Sequence, residues 1–238
     1  MNVREILARL NVPNIRFDVG IGGLPSLTPL DVAGAVGMLQ GDPLGCDILL
    51  ALWAPDVGAG YRSMAQILAD IRARMVLEYG RLVMASVDAE LRLMERRIEV
   101  AAVNRPSDEL RGELNRAERE AETAKLKTWP KVAEGYAAVV EAVLTEIKLG
   151  NLCPVCNGRG QYVHEALTVT CITCNGTGRR GASDRNRADR IRRDESTYRA
   201  GWKGPYEWCY SLVSGLEGAA AEELRHRLFA IAEAVRDC

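Results

Sequence analysis

The feature that most restricts this chain is a short motif written twice. Cys153-Pro154-Val155-Cys156-Asn157-Gly158-Arg159-Gly160 recurs 18 residues later as Cys171-Ile172-Thr173-Cys174-Asn175-Gly176-Thr177-Gly178. Each copy reads CxxCxGxG. Two residues between the cysteines let both sulfurs of a knuckle face one ion. The glycines behind them permit the positive φ with which a backbone curls round sulfur. Two knuckles together supply four thiolates in a tetrahedral shell, the closed arrangement of a structural zinc site. The expected ligands of one zinc ion are therefore Cys153, Cys156, Cys171 and Cys174. A closed shell leaves no position for substrate, so catalysis by the metal is not expected. A redox dithiol is the competing reading of a CxxC pair; two matched pairs with trailing glycines, outside any βαβ pattern, argue against it.

Fourteen residues separate Cys156 from Cys171, and within them Val163, Glu165, Leu167 and Val169 alternate with Tyr162, His164, Ala166 and Thr168. That is strand periodicity and predicts a β-hairpin joining the knuckles. His164 is read as a strand residue, because four thiolates already fill the shell. So small an apolar content cannot hold a hairpin alone, so metal binding must supply its folding energy.

Elsewhere the chain reads as helix. It has 238 residues, 47% of them hydrophobic and only 5% aromatic, enough for one large or two small domains packed through aliphatic side chains. Thr28-Pro29 is a helix start, burying Val32, Val36 and Leu39. A second apolar stretch runs Cys46 to Trp53. A long helix is predicted from near Gly60, with Met64, Leu68, Ile71, Met75 and Leu82 as its buried stripe, continuing less cleanly through Leu91, Met94 and Ile98. Ser107 caps a densely charged helix with a thin stripe of Leu110, Leu114, Ala117, Ala121 and Ala124. That stripe fits one arm of a helical hairpin, a contact with a partner helix, or a solvated surface helix equally well. Val132 to Lys148 forms another helix, with Gly150 as its C-cap. Residues 11–25, rich in Pro and Gly, read as a loop or arm.

The fold expected is mainly α: a helical body with an N-terminal arm over 1–149, an inserted four-cysteine zinc module over 150–180, and a helix-turn-helix-like segment with C-terminal helices over 181–238. Four of seven cysteines fall in the two pairs, which fits a reducing cytoplasm and a metal site better than a disulfide framework. No run of apolar residues is long enough for a membrane span, and Met1 to Glu5 does not resemble a secretory signal. A cytoplasmic protein is therefore expected. The only two histidines, His164 and His226, have no partner motif, so no enzyme is expected.

Charge is distributed unevenly. Between Arg179 and Lys203 nine cations face four acids, a net +5 in a chain whose total is −1, so the remainder carries −6. A basic segment on an acidic body is the asymmetry a nucleic-acid partner requires. Ser183 can cap a first helix to about Arg193, and Ser196 a second carrying Tyr198 and Trp202. Ala188, Ile191, Tyr198 and Trp202 make the inner face. Helix, short turn, helix is the helix-turn-helix plan, whose second helix leads into the major groove. Ser196, Thr197 and Arg199 would then approach base edges, and Arg185, Arg187, Arg190 and Lys203 phosphates. The usual glycine entering the turn is replaced by Arg192 or Arg193, and an ordinary helical hairpin fits the same residues. Gly204-Pro205 restarts a helix, and a last one covers about Leu216 to Val235.

The order of these pieces resembles the lambda-type late-gene antitermination proteins called Q. The similarity lies in the two CxxCxGxG copies, in Thr197-Tyr198-Arg199, in Gly204-Pro205-Tyr206 leading to Trp208, and in Thr28-Pro29-Leu30-Asp31-Val32-Ala33 near the start. It implies a phage protein that binds double-stranded DNA at a late promoter. Such a protein engages host RNA polymerase paused with its primary sigma factor, then travels with it through terminators. A DNA-binding regulator that never travels with polymerase shares every DNA-facing feature named here. The cysteine motif also looks like the zinc region of the DnaJ co-chaperones, but those carry four copies, and this chain has no His-Pro-Asp triplet.

Overall fold

Helix starts are set by side-chain caps. The computed structural model describes residues 3–10, 28–54, 62–131, 133–149, 151–153, 155, 156, 161–164, 167–174, 176 and 178–236. The expected arm at 11–25, the C-cap Gly150, Gly60 and Cys238 lie outside these residues. Helix α1 spans Val3–Leu10. Helix α2, Pro29–Gly37, starts at Thr28, whose side chain accepts from the Asp31 N–H while the Asp31 carboxylate accepts from the Thr28 N–H. Asp42 caps α3, Pro43–Trp53, accepting from Leu44 N–H. Ser63 opens α4, Met64–Ala102, with a capping box to Gln66, and Ser107 opens α5, Asp108–Leu126. Helix α6 covers Ala133–Leu149.

The chain then enters four short strands: β1 Asn151–Leu152, β2 Gln161–His164, β3 Leu167–Thr170 and β4 Arg179–Arg180. Strands β2 and β3 pair antiparallel, Gln161 opposite Thr170, as the hairpin joining the knuckles. Strands β1 and β4 also pair, Asn151 opposite Arg180, which closes the base of the module. The alternation argument does not reach this second pair, because two residues carry no period.

Helix α7, Asp184–Arg190, follows, then a tight turn, α8 at Glu195–Thr197, a π-helical turn at Tyr198–Trp202 and α9 at Lys203–Arg236. The expected break at Gly204-Pro205 is absent. One rod runs from Glu195 to Arg236. Pro205 has no N–H for the Gly201 carbonyl, and its ring would crowd that carbonyl in a regular α-turn. The wider π-turn immediately before it relieves both, with Lys203 N–H reaching back to Tyr198 O.

Two buried clusters hold the body. The larger unites Leu44, Ile48 and Leu52 of α3, Ile67, Ile71 and Met75 of α4, and Tyr136, Val139, Val140 and Val143 of α6 with Ala188, Ile191, Tyr198, Trp202, Tyr206, Cys209 and Val213. The smaller joins Val3, Leu7, Val32, Val36, Leu49 and Leu50 to Leu224 and Leu228. Residues before 149 and after 181 thus share the larger core.

Contacts between helices are close at Gly135, where a Cβ would lie 2.0 Å from the Trp202 ring. Beyond Leu82, α4 packs against α5 as an antiparallel hairpin through Ala89, Ala117 and Ala121, with Arg96–Glu113 and Arg97–Glu118 ion pairs across it. Of the three readings of the charged helix, the hairpin arm is therefore the one observed. Leu91, Met94 and Ile98 do not continue the buried stripe of α4; they are 54–60% exposed. Among the described residues no helix is long and apolar enough to cross a membrane.

Candidate metal centre and basic helical segment

Cys153, Cys156, Cys171 and Cys174 come together, with every pair of sulfurs within 4.8 Å. Cys153 Sγ lies 3.8 Å from Cys171 Sγ, and Cys156 Sγ 3.7 Å from Cys174 Sγ. A tetrahedral ion with Zn–S bonds of ~2.3 Å has sulfur–sulfur edges of about 3.8 Å, so the donor set fits. All four residues are buried, at 0–7% exposure.

Backbone N–H groups of the knuckles favour the anionic forms of Cys153 and Cys174. Gly176 and Gly178 have φ of 79° and 72°, the left-handed turn that the motif's glycines were expected to supply. Gly178 N–H donates to Cys174 Sγ at 3.2 Å. Burial pushes the Cys174 thiol up, yet this N–H and the neighbouring sulfurs outweigh it and bring the group down to about 7. Cys153 is lowered chiefly by the Cys156 N–H aimed at its sulfur. Cys153 N–H in turn donates to Gly178 O at 2.8 Å, so the second knuckle's last glycine is tied to the first knuckle's first cysteine. The first knuckle's glycines, Gly158 and Gly160, lie outside the described residues, and so does the side chain of His164.

The basic segment divides into exposed and largely buried cations. Arg185 and Arg190 are exposed on α7, and no carboxylate among the described residues pairs with either. Arg187, expected near phosphate, is placed elsewhere. Its guanidinium donates to Glu146 of α6 through Nε at 3.1 Å and Nη2 at 2.8 Å. Tyr206 OH, at 2.8 Å, and Ala182 N–H, at 3.1 Å, donate to the same carboxylate. The Arg187 guanidinium also lies 5.0 Å over the Tyr206 ring and 5.3 Å over Tyr210. Burial alone would raise Glu146, but Arg187, Tyr206 and Ala182 hold it below the ordinary glutamate value. The sequence carried a signal for this: Arg187 stands four residues before Ile191 and beside Ala188, on the inner face of α7. Glu146 itself gave none, being one acid in an otherwise apolar helix face.

The turn between α7 and α8 centres on Arg192 at φ 55°, the one non-glycine with positive φ among the described residues. This is the position where a glycine was expected. The cap of the following helix is Asp194 and not Ser196: the Asp194 carboxylate accepts from Thr197 N–H at 2.8 Å and from the Ser196 and Thr197 hydroxyls. Those donors hold Asp194 far below the usual carboxylate range. Ser196, Thr197 and Arg199 remain exposed. Arg199 and Lys203 share Asp184, at 3.3 and 3.2 Å, which clasps the start of α7 to the start of the long rod. Behind them Ala188, Ile191, Tyr198 and Trp202 are all buried, as their spacing predicts.

Two-residue β1–β4 pairing and the Ala182–Glu146 bond together fix where the cysteine module meets the body. The chain leaves the module at Arg180 and enters α7 four residues later. Comparison with family models, with curated proteins and with solved structures gives no match to this chain.

Proposed function

We propose that the protein is a phage transcription antitermination factor of the lambda-type Q kind. One zinc ion at Cys153, Cys156, Cys171 and Cys174 folds the module. Helices α7 and α8 then bind double-stranded DNA at a late promoter. The acidic helical body engages host RNA polymerase paused with its primary sigma factor, and the loaded polymerase reads through terminators.

One observation carries the reading: a buried four-thiol cluster leads directly into a tight two-helix turn whose outer face keeps Arg185 and Arg190 exposed and unpaired. Unpaired arginines are the groups free to replace phosphate counterions. Arg199, paired with Asp184 and Glu195, and Lys203, paired with Asp184 and Glu207, would have to leave or share those carboxylates to join them. Solvent-exposed pairs of this sort are weak and screened by salt, so DNA can compete for them. With so few free cations, affinity should be modest and salt-sensitive, and stable loading should need polymerase contacts as well.

The test is transcription in vitro from a late promoter with a terminator downstream. Full-length transcript that depends on the protein and on its promoter-proximal site supports the reading, and Cys171→Ser should abolish it. Unchanged termination together with promoter binding in a mobility shift would make the protein a zinc-containing regulator that does not travel with polymerase.

A further inference from the structure

The α4–α5 hairpin holds a second concentration of cations that the reading above does not use. A cleft of about 550 Å³ runs between the two helices, lined by Arg81, Arg92, Arg116, Arg119 and Lys127 with Glu120 as its one acid. Its floor is small and apolar, Leu82, Ala85, Ala89 and Ala124. Arg81 is paired with Glu78. Arg92, Arg116, Arg119 and Lys127 are exposed, and no carboxylate among the described residues pairs with them. Like charges held round one groove repel, and only an anion relieves that repulsion.

Spacing identifies the anion. Arg81 and Arg92 lie eleven residues apart on α4, as do Arg116 and Lys127 on α5. At 1.5 Å per residue each wall is about 16 Å long. One DNA strand places a phosphate every ~3.4 Å of duplex axis but winds round that axis, so such a wall meets only a few successive phosphates. A small anion would occupy a fraction of this length. Nor is the cleft isolated. It shares Leu82 and Lys127 with a neighbouring cleft lined by Glu78, Trp208 and Arg199, the last a residue assigned above to DNA. Cations therefore line a path from Arg199 past Lys127 and Arg119 to Arg92, with Glu78 and Glu120 as the acids along it.

We propose that the hairpin cleft binds the phosphate backbone of duplex DNA flanking the stretch held by α7 and α8, extending the footprint along the hairpin. The proposal rests on the DNA-binding reading of that segment. The cleft supplies affinity and direction, its cations contacting phosphates, which position a duplex without carrying sequence information. It also compensates for the small number of free cations on α7.

The test is a salt titration of the full chain against a mixed-sequence 40-base-pair duplex, followed by fluorescence anisotropy. Three variants accompany wild type: Arg92→Gln/Arg116→Gln/Arg119→Gln in the cleft, Arg185→Gln/Arg190→Gln on α7, and Arg105→Gln/Arg111→Gln/Lys125→Gln as a control of equal charge on the hairpin outside the cleft. The cleft variant is expected to flatten the slope of log K against log salt by about 2.7 and to weaken binding at least tenfold at low salt, three phosphate contacts being lost. The control is expected to bind like wild type. If the cleft variant matches wild type while the α7 variant weakens, the footprint extension is wrong and the DNA reading of α7 survives. If the control weakens as much as the cleft variant, net charge and not the cleft is responsible, and the proposal falls. If wild type binds no duplex at low salt, both the proposal and the reading beneath it fail.

Discussion

Among the described residues of the cysteine module, the one buried side-chain cluster is the four cysteines, with the partly buried Tyr162 packed against it. Strand β3 is exposed along its whole length, Leu167 at 70%. The helical body, in contrast, buries aliphatic and aromatic side chains from α3, α4, α6, α7 and α9 in one continuous cluster. The two regions are thus held by different forces. The body's stability comes from apolar area removed from water and is indifferent to metal. The described residues of the module bury little such area, and its fold should exist only while an ion bridges the thiolates. Where the two meet, a single buried carboxylate, Glu146, gathers Arg187, Tyr206 and the backbone of Ala182.

The largest effect should come from the metal. Removing zinc, by chelation or by Cys171→Ser, forfeits the roughly 10–16 kcal/mol that such sites contribute to folding their own segment. The module should unfold and become open to protease between β1 and β4, while helical circular dichroism barely changes. A global loss of helix would erase the distinction between the regions.

Next comes the joint. Glu146→Gln leaves the largely buried Arg187 without its counter-charge and should cost about 3–5 kcal/mol in denaturant melts. The pH dependence has a definite sign. The Glu146 carboxyl is depressed in the folded state, so its stabilisation is present above the unfolded value of about 4.3 and is lost as pH falls through the lower folded value. The variant should therefore show a flatter acid limb than wild type. A third test probes the core: Gly135→Ala drives a methyl into the Trp202 ring and should cost about 1–3 kcal/mol. Smallest in stability is Arg185→Ala/Arg190→Ala, expected within about 0.5 kcal/mol of wild type because both side chains are exposed. The same pair should weaken DNA binding and flatten its salt slope by about 1.8. Arg187→Ala should do the reverse, reducing stability strongly, so two neighbouring arginine types on one helix separate by what they touch.

These regions also differ in how much of them could be read beforehand. The four cysteines and the hairpin between them follow from spacing alone, because a knuckle is a local structure. Caps at Thr28, Ser63 and Ser107 are local as well, although only Thr28 and Ser107 were expected. What sequence could not supply was pairing across distance. Nothing near Arg187 announces that Glu146, 41 residues away, will claim it. The break expected at Gly204-Pro205 failed for a similar reason. Proline is a helix breaker locally, but burial of Tyr198, Trp202 and Tyr206 keeps the rod continuous and the π-turn accommodates the ring. Exposure of Leu91, Met94 and Ile98 was equally hidden, since a stripe's spacing does not say which side its partner takes.

The most direct measurement is zinc content against structure: metal stoichiometry of the purified chain, followed by a chelator titration monitored by backbone NMR. One zinc per chain is predicted, with its removal collapsing the amide signals of residues 151–180 and leaving those of α3, α4, α6 and most of α9 in place. A chain that binds no zinc and keeps ordered signals across 151–180, or one that loses the whole spectrum on chelation, would contradict a metal-built module seated on an independent helical body.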